Sequence, residues 1–191
     1  MSQLSVSSAP EKPAFTTREL VFTAVFAALI AVCSWISIPT AVPFTLQTFA
    51  VYCALEFLGG RNGFFAVLVY ILLGAVGVPV FSGFSGGLGV ILGTTGGYII
   101  GFLANAAVYW LFEKFPHHEK LWMRLTALIL GTVLCYVLGT AWFMYAYAQK
   151  VEAIDLSTAL AWCVTPFLGS NVVKLALAII VADRLKKYVK V

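Results

Sequence analysis

Three long stretches of this sequence contain no Asp, Glu, Lys or Arg. They cover residues 20–55, 62–112 and 125–149, which are 36, 51 and 25 residues long. A membrane-spanning helix needs about 20 apolar residues, so each stretch is long enough to cross a bilayer. We expect two helices in the longest stretch and two in the first, which Pro39 and Pro43 divide.

The composition excludes several classes of protein. Of the 191 residues, 61% are hydrophobic and 10% are charged, whereas a soluble domain is about 45–50% apolar and about 25% charged. The chain has too few ionic groups to cover a surface in water. This excludes an ordinary cytosolic enzyme, a disordered regulator and a nucleic-acid-binding protein.

The apolar runs predict an all-α integral membrane protein, a bundle of six membrane-spanning helices. The predicted helices cover residues 18–38, 45–58, 62–77, 94–113, 121–148 and 160–186. Pro166 and Gly169 predict an irregularity near the start of the last helix. Residues 1–15 are rich in Ser, Pro and Lys, and we expect them to be a disordered tail. Residues 16–191 then form a single membrane domain.

A glycine-rich segment separates the third and fourth predicted helices. Residues 78–97 contain seven glycines and no charge, which is not typical of a solvated loop. Irregular backbone at membrane depth is tolerated only where protein buries it or a cavity needs it, so we expect a re-entrant or capping loop. Gly93, Gly97 and Gly101 are spaced four apart, which lets a second helix approach one helix face closely.

The basic residues predict the orientation of the helices. With the N-terminus in the cytoplasm, ten of the twelve Lys and Arg residues lie on the cytoplasmic side. Lys150 lies outside, and Lys174 lies within a helix. Cytoplasmic loops are enriched in Lys and Arg, so we expect both termini in the cytoplasm. The loops 39–44 and 78–93 then face outward.

Lys174 needs a physical explanation, because its helix is otherwise apolar. A lysine at the centre of a membrane helix costs about 2.5–3.5 kcal/mol on insertion scales. A partner carboxylate, water or an anionic ligand would offset this cost; a lysine that snorkels to the interface is the alternative. Asn171 lies three residues earlier on the same face. It either presents its amide to the same cavity or forms an interhelical hydrogen bond.

Four further polar residues fall within the predicted helices: Gln47, Glu56, Tyr98 and Asn105. Tyr98 fits either an aromatic belt or a pocket beneath the glycine-rich segment. Asn105 fits an interhelical hydrogen bond. We expect Glu56 to pair with Arg61 at the inner end of the second helix.

No motif predicts catalysis. The glycines of residues 86–97 lack the Gly-Lys-Ser/Thr ending of a phosphate-binding loop. His117 and His118 lie in a charged loop without companion metal ligands. We therefore expect no catalytic residues, no metal, no cofactor and no ATP hydrolysis by the chain itself.

The first predicted helix carries a stripe of small residues: Ala24, Ala27, Ala28 and Ala31. These form two overlapping pairs spaced four apart, Ala24 with Ala28 and Ala27 with Ala31. Small residues at this spacing give a flat surface for a partner helix. Packing within the bundle is the alternative.

The sequence resembles the BioY family, the biotin-binding S components of energy-coupling factor (ECF) vitamin transporters. The resemblance covers residues 16–188. It is carried by PFTLQTFAV (43–51), GAVGVPVFSGFSGGLGVILGTTGGYIIGF (74–102) and PFLGSNVVKLALA (166–178). It implies a six-helix membrane protein that captures biotin from outside. The site would lie near the outer face, closed by the loops between helices 1 and 2 and between helices 3 and 4.

The resemblance also implies which residues bind the ligand. In the family, a polar residue of the glycine loop and an acid–x–x–lysine pair on helix 6 line the pocket. Here Ser85, Gly86 and Gly87 occupy the loop positions, and Lys174 matches the lysine. Asn171 stands where an Asp is expected. Lys174 would meet either the carboxylate of biotin or its bicyclic head.

Tyr98 and Gln47 complete the predicted set of substrate-binding residues. Biotin has a neutral ureido ring, an apolar thioether ring and a carboxylate. An apolar cavity with a few placed polar groups suits such a ligand. Biotin would be the ligand of this site and not a cofactor.

The resemblance finally implies partners and location. The alanine stripe of helix 1 resembles the motif with which S components dock on the transmembrane coupling subunit, the T component, which carries two cytoplasmic ATPases. We expect a prokaryotic cytoplasmic membrane around the chain and no nucleic acid partner. The alternatives are an S component for another vitamin, such as thiamine or riboflavin, and a membrane scaffold that binds no small molecule. A third, an intramembrane enzyme, is opposed by the missing catalytic acids.

Overall fold

The computed structural model of the protein describes residues 15–189. The predicted disordered tail lies, apart from Phe15, outside the described residues. The described chain is almost entirely helical. Its elements are α1 (Thr17–Trp35), β1 (Ser37–Ile38), β2 (Phe44–Thr45), α2 (Gln47–Ala75), α3 (Leu88–Ile91), α4 (Gly96–Phe112), α5 (Leu121–Ala148), α6 (Leu156–Cys163) and α7 (Thr165–Tyr188). A single 3-10 turn, Ser82–Phe84, precedes α3.

Several of these helices are apolar and long enough to cross a membrane. Four such segments are Thr17–Trp35, Gln47–Ala75, Leu121–Ala148 and Leu156–Tyr188, and Gly96–Phe112 is a shorter apolar helix. The prediction of an all-α protein with several apolar helices is therefore confirmed.

The long helix α2 reverses direction at Gly59. This residue has φ 82° and ψ 170°, a backbone conformation that favours glycine because no Cβ is present. The side-chain Nε2 of Gln47 donates a hydrogen bond to the hydroxyl of Tyr70, at 3.0 Å. In a straight helix these residues would lie about 35 Å apart. The halves 47–58 and 60–75 therefore run antiparallel, and they correspond to the second and third predicted helices.

The helix α1 begins at a capping box and ends earlier than expected. The Oγ1 of Thr16 accepts a hydrogen bond from the backbone N–H of Glu19 at 3.2 Å, and the Glu19 carboxylate accepts one from the Thr16 N–H at 2.7 Å. The helix stops at Trp35 because β1 and β2 pair in an antiparallel ladder, with Ser37 opposite Thr45. The predicted loop at residues 39–44 corresponds to the turn of this hairpin, residues 39–43, and the first residue of β2.

Glycines bring α4 and α5 into close contact. A Cβ on Gly97 would lie 2.3 Å from the Cβ of Trp142, and one on Gly101 would lie 2.7 Å from the Sγ of Cys135. The close approach predicted from the glycine spacing is confirmed for these two residues. Gly93 precedes α4, and its carbonyl accepts a hydrogen bond from the Trp142 indole at 2.9 Å.

The last predicted helix consists of two elements that meet at Val164. Pro166 stands in the first turn of α7, where its missing N–H costs no helical hydrogen bond. Asp155 caps α6 by accepting a hydrogen bond from the Ser157 N–H at 3.0 Å. The hydrogen bonds from Ser157 and Leu156 lower the pKa of the Asp155 carboxyl.

The predicted pair of Glu56 and Arg61 is wrong. The completely buried Glu56 carboxylate instead binds Arg124 of α5, with 2.7 Å between Nε and Oε2. Arg61 follows the reversal at Gly59, and its guanidinium lies 4.0 Å from the centroid of the Phe15 ring. The reversal separates two side chains that are close in sequence.

Candidate ligand-binding cavity

A cavity lies between α2, α4, α5, α7 and the glycine-rich segment. Its empty space, including the part that is open to solvent, is about 840 Å³. Five of the seven predicted site residues line it: Gln47, Ser85, Tyr98, Asn171 and Lys174. The three segments that carry the family resemblance therefore meet at one place.

The other two predicted site residues, Gly86 and Gly87, are not among the described residues that line the cavity. A Cβ on Gly86 would lie 2.4 Å from the carbonyl oxygen of Val78. Gly87 has φ 92°, and its N–H donates to the Gly74 carbonyl at 2.6 Å. Both glycines hold the segment against the end of α2.

The glycine-rich segment forms one wall of the cavity and is fastened to α1. The Trp35 indole donates to the carbonyl of Pro79 at 2.9 Å, and its ring stacks on Phe84 with centroids 4.9 Å apart. The Ser34 hydroxyl also donates to the carbonyl of Val80. Phe81, which is 1% exposed, lines the cavity from this segment.

Lys174 is a buried cation in this cavity. The residue is 6% exposed, so its ammonium stays inside the bundle and does not reach the surface. The Nζ donates to the carbonyl of Thr45 at 2.8 Å and lies 4.4 Å from the centroid of the Phe44 ring, a cation–π distance. Within residues 15–189, no carboxylate lies within ion-pair distance of it.

Asn171 lies one turn before Lys174 and is 9% exposed. Its Nδ2 donates a hydrogen bond to the hydroxyl of Tyr136 at 2.6 Å. Its Oδ1 is buried, and no donor within the described part of the chain reaches it. The α7 wall of the cavity therefore combines a cation with an amide oxygen that is free to accept.

The remaining predicted residues in the cavity are held by neighbours in the protein. The Tyr98 hydroxyl hydrogen-bonds Thr140 at 2.8 Å, and the Ser85 hydroxyl donates to the carbonyl of Ser82 at 2.7 Å. The Gln47 amide is bound to Tyr70, as described above. Each of these contacts fixes the side chain on the cavity wall.

The sequence did not predict two features of this site. Tyr136 lines the cavity from α5, and Phe167 lines it from α7, with its ring stacked on Phe44 at 5.6 Å between centroids. One signal for Tyr136 was present. Thr132, Tyr136 and Thr140 are spaced four apart within residues 125–149, which carry no charge, and this spacing places three polar side chains on one helix face.

The structure divides the alanine stripe of α1. Ala27 and Ala31 are buried, at 2% and 6% exposure, inside the bundle. Ala24 and Ala28 are exposed. Of the four alanines, only this second pair lies on the outside of the bundle.

The chemistry of the cavity suits the binding of a small molecule. Its wall is mainly apolar and aromatic, with one cation and a few hydrogen-bonding groups. Such a site fits a small, largely apolar ligand with an anionic or strongly polar group. Within the described residues, no group of three or more His, Cys, Asp or Glu could hold a metal ion.

Comparison with known proteins identifies relatives over nearly the whole chain. Residues 6–191 match the family model described as the BioY family. The chain is 39% identical over 171 residues to the biotin transporter BioY of Thermotoga maritima, which covers 89% of this chain and 96% of that protein. It is 36% identical to the probable biotin transporter BioY of Pyrococcus horikoshii, over 88% of this chain and 96% of that protein.

A solved structure has the same fold. It is the crystal structure of the S-component for biotin from an ECF-type ABC transporter. The TM-score is 0.78 and the sequence identity is 25%, over 91% of this chain and 95% of that one.

Proposed function

This chain belongs to the BioY family, and we propose that it binds biotin and supports its uptake as the S component of an ECF-type transporter. The main support for this proposal is the cavity, which Lys174 lines as a buried cation. Within residues 15–189, no carboxylate forms an ion pair with it. The biotin transporters from Thermotoga and Pyrococcus support the assignment because they match the chain over most of their own length. The protein is accordingly a multi-pass protein of a prokaryotic cell membrane.

Lys174, Asn171, Ser85, Tyr98 and Gln47 are the residues that we assign to biotin binding. Lys174 supplies positive charge and hydrogen-bond donors, and the Asn171 amide supplies an acceptor in place of a carboxylate. Gly86 and Gly87 contribute by fixing the backbone of the loop that carries Ser85.

The proposed topology has six crossings and both termini in the cytoplasm. The reversal at Gly59 divides α2 into two crossings, 47–58 and 60–75. The cavity then lies toward the outer face, near the hairpin and the glycine-rich segment. The cluster of Glu56 and Arg124 lies toward the cytoplasm, where the basic residues are concentrated.

The proposed partners are a T component and, through it, two cytoplasmic ATPases. The chain is not an enzyme in this scheme, and the energy for uptake comes from the ATPases. Ala24 and Ala28 form the docking surface on α1, because their side chains are exposed and small enough for a helix to approach.

The test is ligand binding by the purified full-length protein in detergent. We expect biotin supplied in the growth medium to be carried through purification and to be detected by mass spectrometry. We also expect biotin, but not thiamine or riboflavin, to raise the thermal unfolding midpoint. A rise with thiamine or riboflavin and none with biotin would identify an S component for that vitamin. No binding of any of the three would support the scaffold alternative.

Variants at Lys174 and Asn171 test the site itself. Folded Lys174→Ala and Asn171→Ala proteins should bind biotin more weakly than the wild type in a calorimetric titration. If both bind as tightly as the wild type, biotin occupies another site.

A further inference from the structure

In the hydrogen bond between Asn171 and Tyr136, the nitrogen end of the asparagine amide is engaged and its oxygen end is left free. An amide is asymmetric, since its oxygen only accepts hydrogen bonds and its nitrogen only donates them. Here Nδ2 donates to the Tyr136 hydroxyl at 2.6 Å. The Oδ1 of the same side chain is buried, and no described residue donates to it.

A buried acceptor without a donor is costly. The desolvation of such a group costs about 1–3 kcal/mol, so native structures seldom leave one. Asn171 lines the cavity, which makes a ligand N–H group the natural donor to its oxygen. The ureido ring of biotin carries such N–H groups, whereas its carboxylate does not.

Tyr136 is well placed to hold the amide in this orientation. It lies on α5, across the cavity from α7, and its side chain is partly buried against the core. Its neighbours at spacing four, Thr132 and Thr140, bind other tyrosines, namely Tyr52 at 2.7 Å and Tyr98 at 2.8 Å. The Tyr136 hydroxyl is thus left for Asn171.

We propose that Tyr136 is a positioning residue that orients the Asn171 amide so that its oxygen accepts a hydrogen bond from a ureido N–H of the ligand. This inference rests on the proposed function. The proposal predicts that the role of Tyr136 depends on which residue stands at position 171. A carboxylate has two equivalent accepting oxygens, so an aspartate at this position would not need Tyr136 to present one.

The experiment compares Tyr136→Phe in two backgrounds of the full-length protein, with biotin as the probe and affinity measured by calorimetry. With Asn171 present, loss of the hydroxyl should weaken biotin binding roughly tenfold, the value of one hydrogen bond. In the Asn171→Asp background, the same change should weaken binding by less than roughly twofold. Tyr52→Phe is the matched control, because the Tyr52 hydroxyl contacts Thr132 and not Asn171. Any change in biotin affinity that Tyr52→Phe causes should be the same with Asn171 and with Asp at position 171.

Equal losses of affinity in both backgrounds would overturn the proposal, since they would show that Tyr136 acts on the ligand directly or only supports the fold. No loss in either background would overturn it as well. Failure of the wild-type protein to bind biotin would instead overturn the proposed function, and the two failures are therefore distinguishable.

A second measurement covers the case in which Tyr136→Phe does not fold. Its probe is a biotin analogue methylated on the ureido nitrogens, which has no ureido N–H. The preference of the protein for biotin over this analogue should survive in Asn171→Asp and shrink roughly tenfold in Asn171→Leu. An unchanged preference in Asn171→Leu, or a preference lost in Asn171→Asp, would contradict an accepting role for residue 171.

Discussion

Arg124 on α5 joins Glu56 on α2 to Asp183 on α7. Its Nε lies 2.7 Å from the Glu56 Oε2, and its Nη2 lies 2.8 Å from the Asp183 Oδ1. The hydroxyl of Tyr109 donates to the other oxygen of Glu56 at 3.2 Å. The Glu56 side chain is completely buried, whereas that of Asp183 is 46% exposed. One guanidinium thus ties three helices together at the end of the bundle opposite the cavity.

The burial of Glu56 predicts a large effect for its partner. Arg124→Met should lower the free energy of unfolding by about 3–5 kcal/mol, because it leaves a buried carboxylate unpaired. Asp183→Asn should cost at most about 1 kcal/mol, because that carboxylate is partly in water. Chemical unfolding in detergent measures both. Equal costs for the two variants would show that burial does not decide the strength of this network.

Restoring neutrality should recover part of the loss. Adding Glu56→Gln to Arg124→Met removes the unpaired charge, so the double variant should be more stable than Arg124→Met alone. A double variant with the summed loss of both single variants would contradict the coupling between these residues.

Lys174 should lower the stability of the ligand-free protein while it strengthens ligand binding. Its ammonium is buried and has one hydrogen bond to Thr45 and one aromatic contact. Lys174→Met keeps the side-chain volume and removes the buried charge, so the ligand-free unfolding midpoint should stay level or rise. The upward shift of the midpoint on adding biotin should become smaller. A lower ligand-free midpoint with an undiminished biotin shift would mean that Lys174 is structural.

The close contact of α4 and α5 should affect the cavity through Gly139. A Cβ at this position would lie 2.3 Å from the Tyr98 ring, and Tyr98 lines the cavity. Gly139→Ala should therefore destabilise the protein by about 1–3 kcal/mol and weaken biotin binding by displacing the ring. Thermal unfolding and calorimetry give the two quantities.

Gly169→Ala is the matched control for this prediction. It lies within α7, and nothing lies within 4 Å of the place where its Cβ would be. Alanine has a helix propensity better than glycine by about 0.5–1 kcal/mol, so this variant should be neutral or slightly stabilised. If both alanines destabilise equally, steric contact with Tyr98 is not the cause.

The fold was largely predictable because the sequence patterns that indicate its helices lie within each helix. Runs of apolar residues without charge mark the helices, and the predicted bounds of 121–148 for the fifth helix agree with α5. The glycine spacing also predicted that a second helix approaches α4 closely, since residues four apart share a helix face, but it did not predict that this helix is α5. The hairpin of β1 and β2 escaped prediction because strands of two residues carry almost no periodic signal.

The partners of buried polar residues could not be predicted in the same way. Glu56 and Arg61 are five residues apart, but the turn at Gly59 lies between them, and the true partner, Arg124, is 68 residues away. Asn171 and Tyr136 likewise meet only after α5 and α7 have packed. Sequence reasoning found the polar residues themselves, but their pairing depends on tertiary structure.

Glu113 should make stability depend on pH. Burial raises the pKa of its carboxyl, while the hydrogen bond from the Gly60 N–H, at 2.6 Å, opposes this rise. The pKa of Glu113 is therefore higher in the folded protein than the usual value of about 4.3. The protonated carboxyl stabilises the folded state fully below a pH of about 4.3, and this stabilisation is lost as the pH rises through the pKa of the folded protein.

Glu113→Gln keeps an acceptor for Gly60 and removes the titration. Relative to this variant, the wild type should lose stability as the pH rises above about 4.3, measured as the difference between their unfolding midpoints. A wild type that gains on the variant above this pH would show that the Glu113 pKa is lowered in the folded protein.

The two alanine pairs of α1 should respond differently to enlargement. Ala24 and Ala28 are exposed, so Ala24→Leu with Ala28→Leu should leave the unfolding midpoint and biotin affinity unchanged and reduce co-purification with the T component and biotin uptake by cells. Ala27 is 2% exposed, so Ala27→Leu overpacks the bundle and should destabilise the protein itself by about 1–3 kcal/mol. Unimpaired assembly and uptake in the Ala24→Leu, Ala28→Leu variant would place the docking surface elsewhere on the protein.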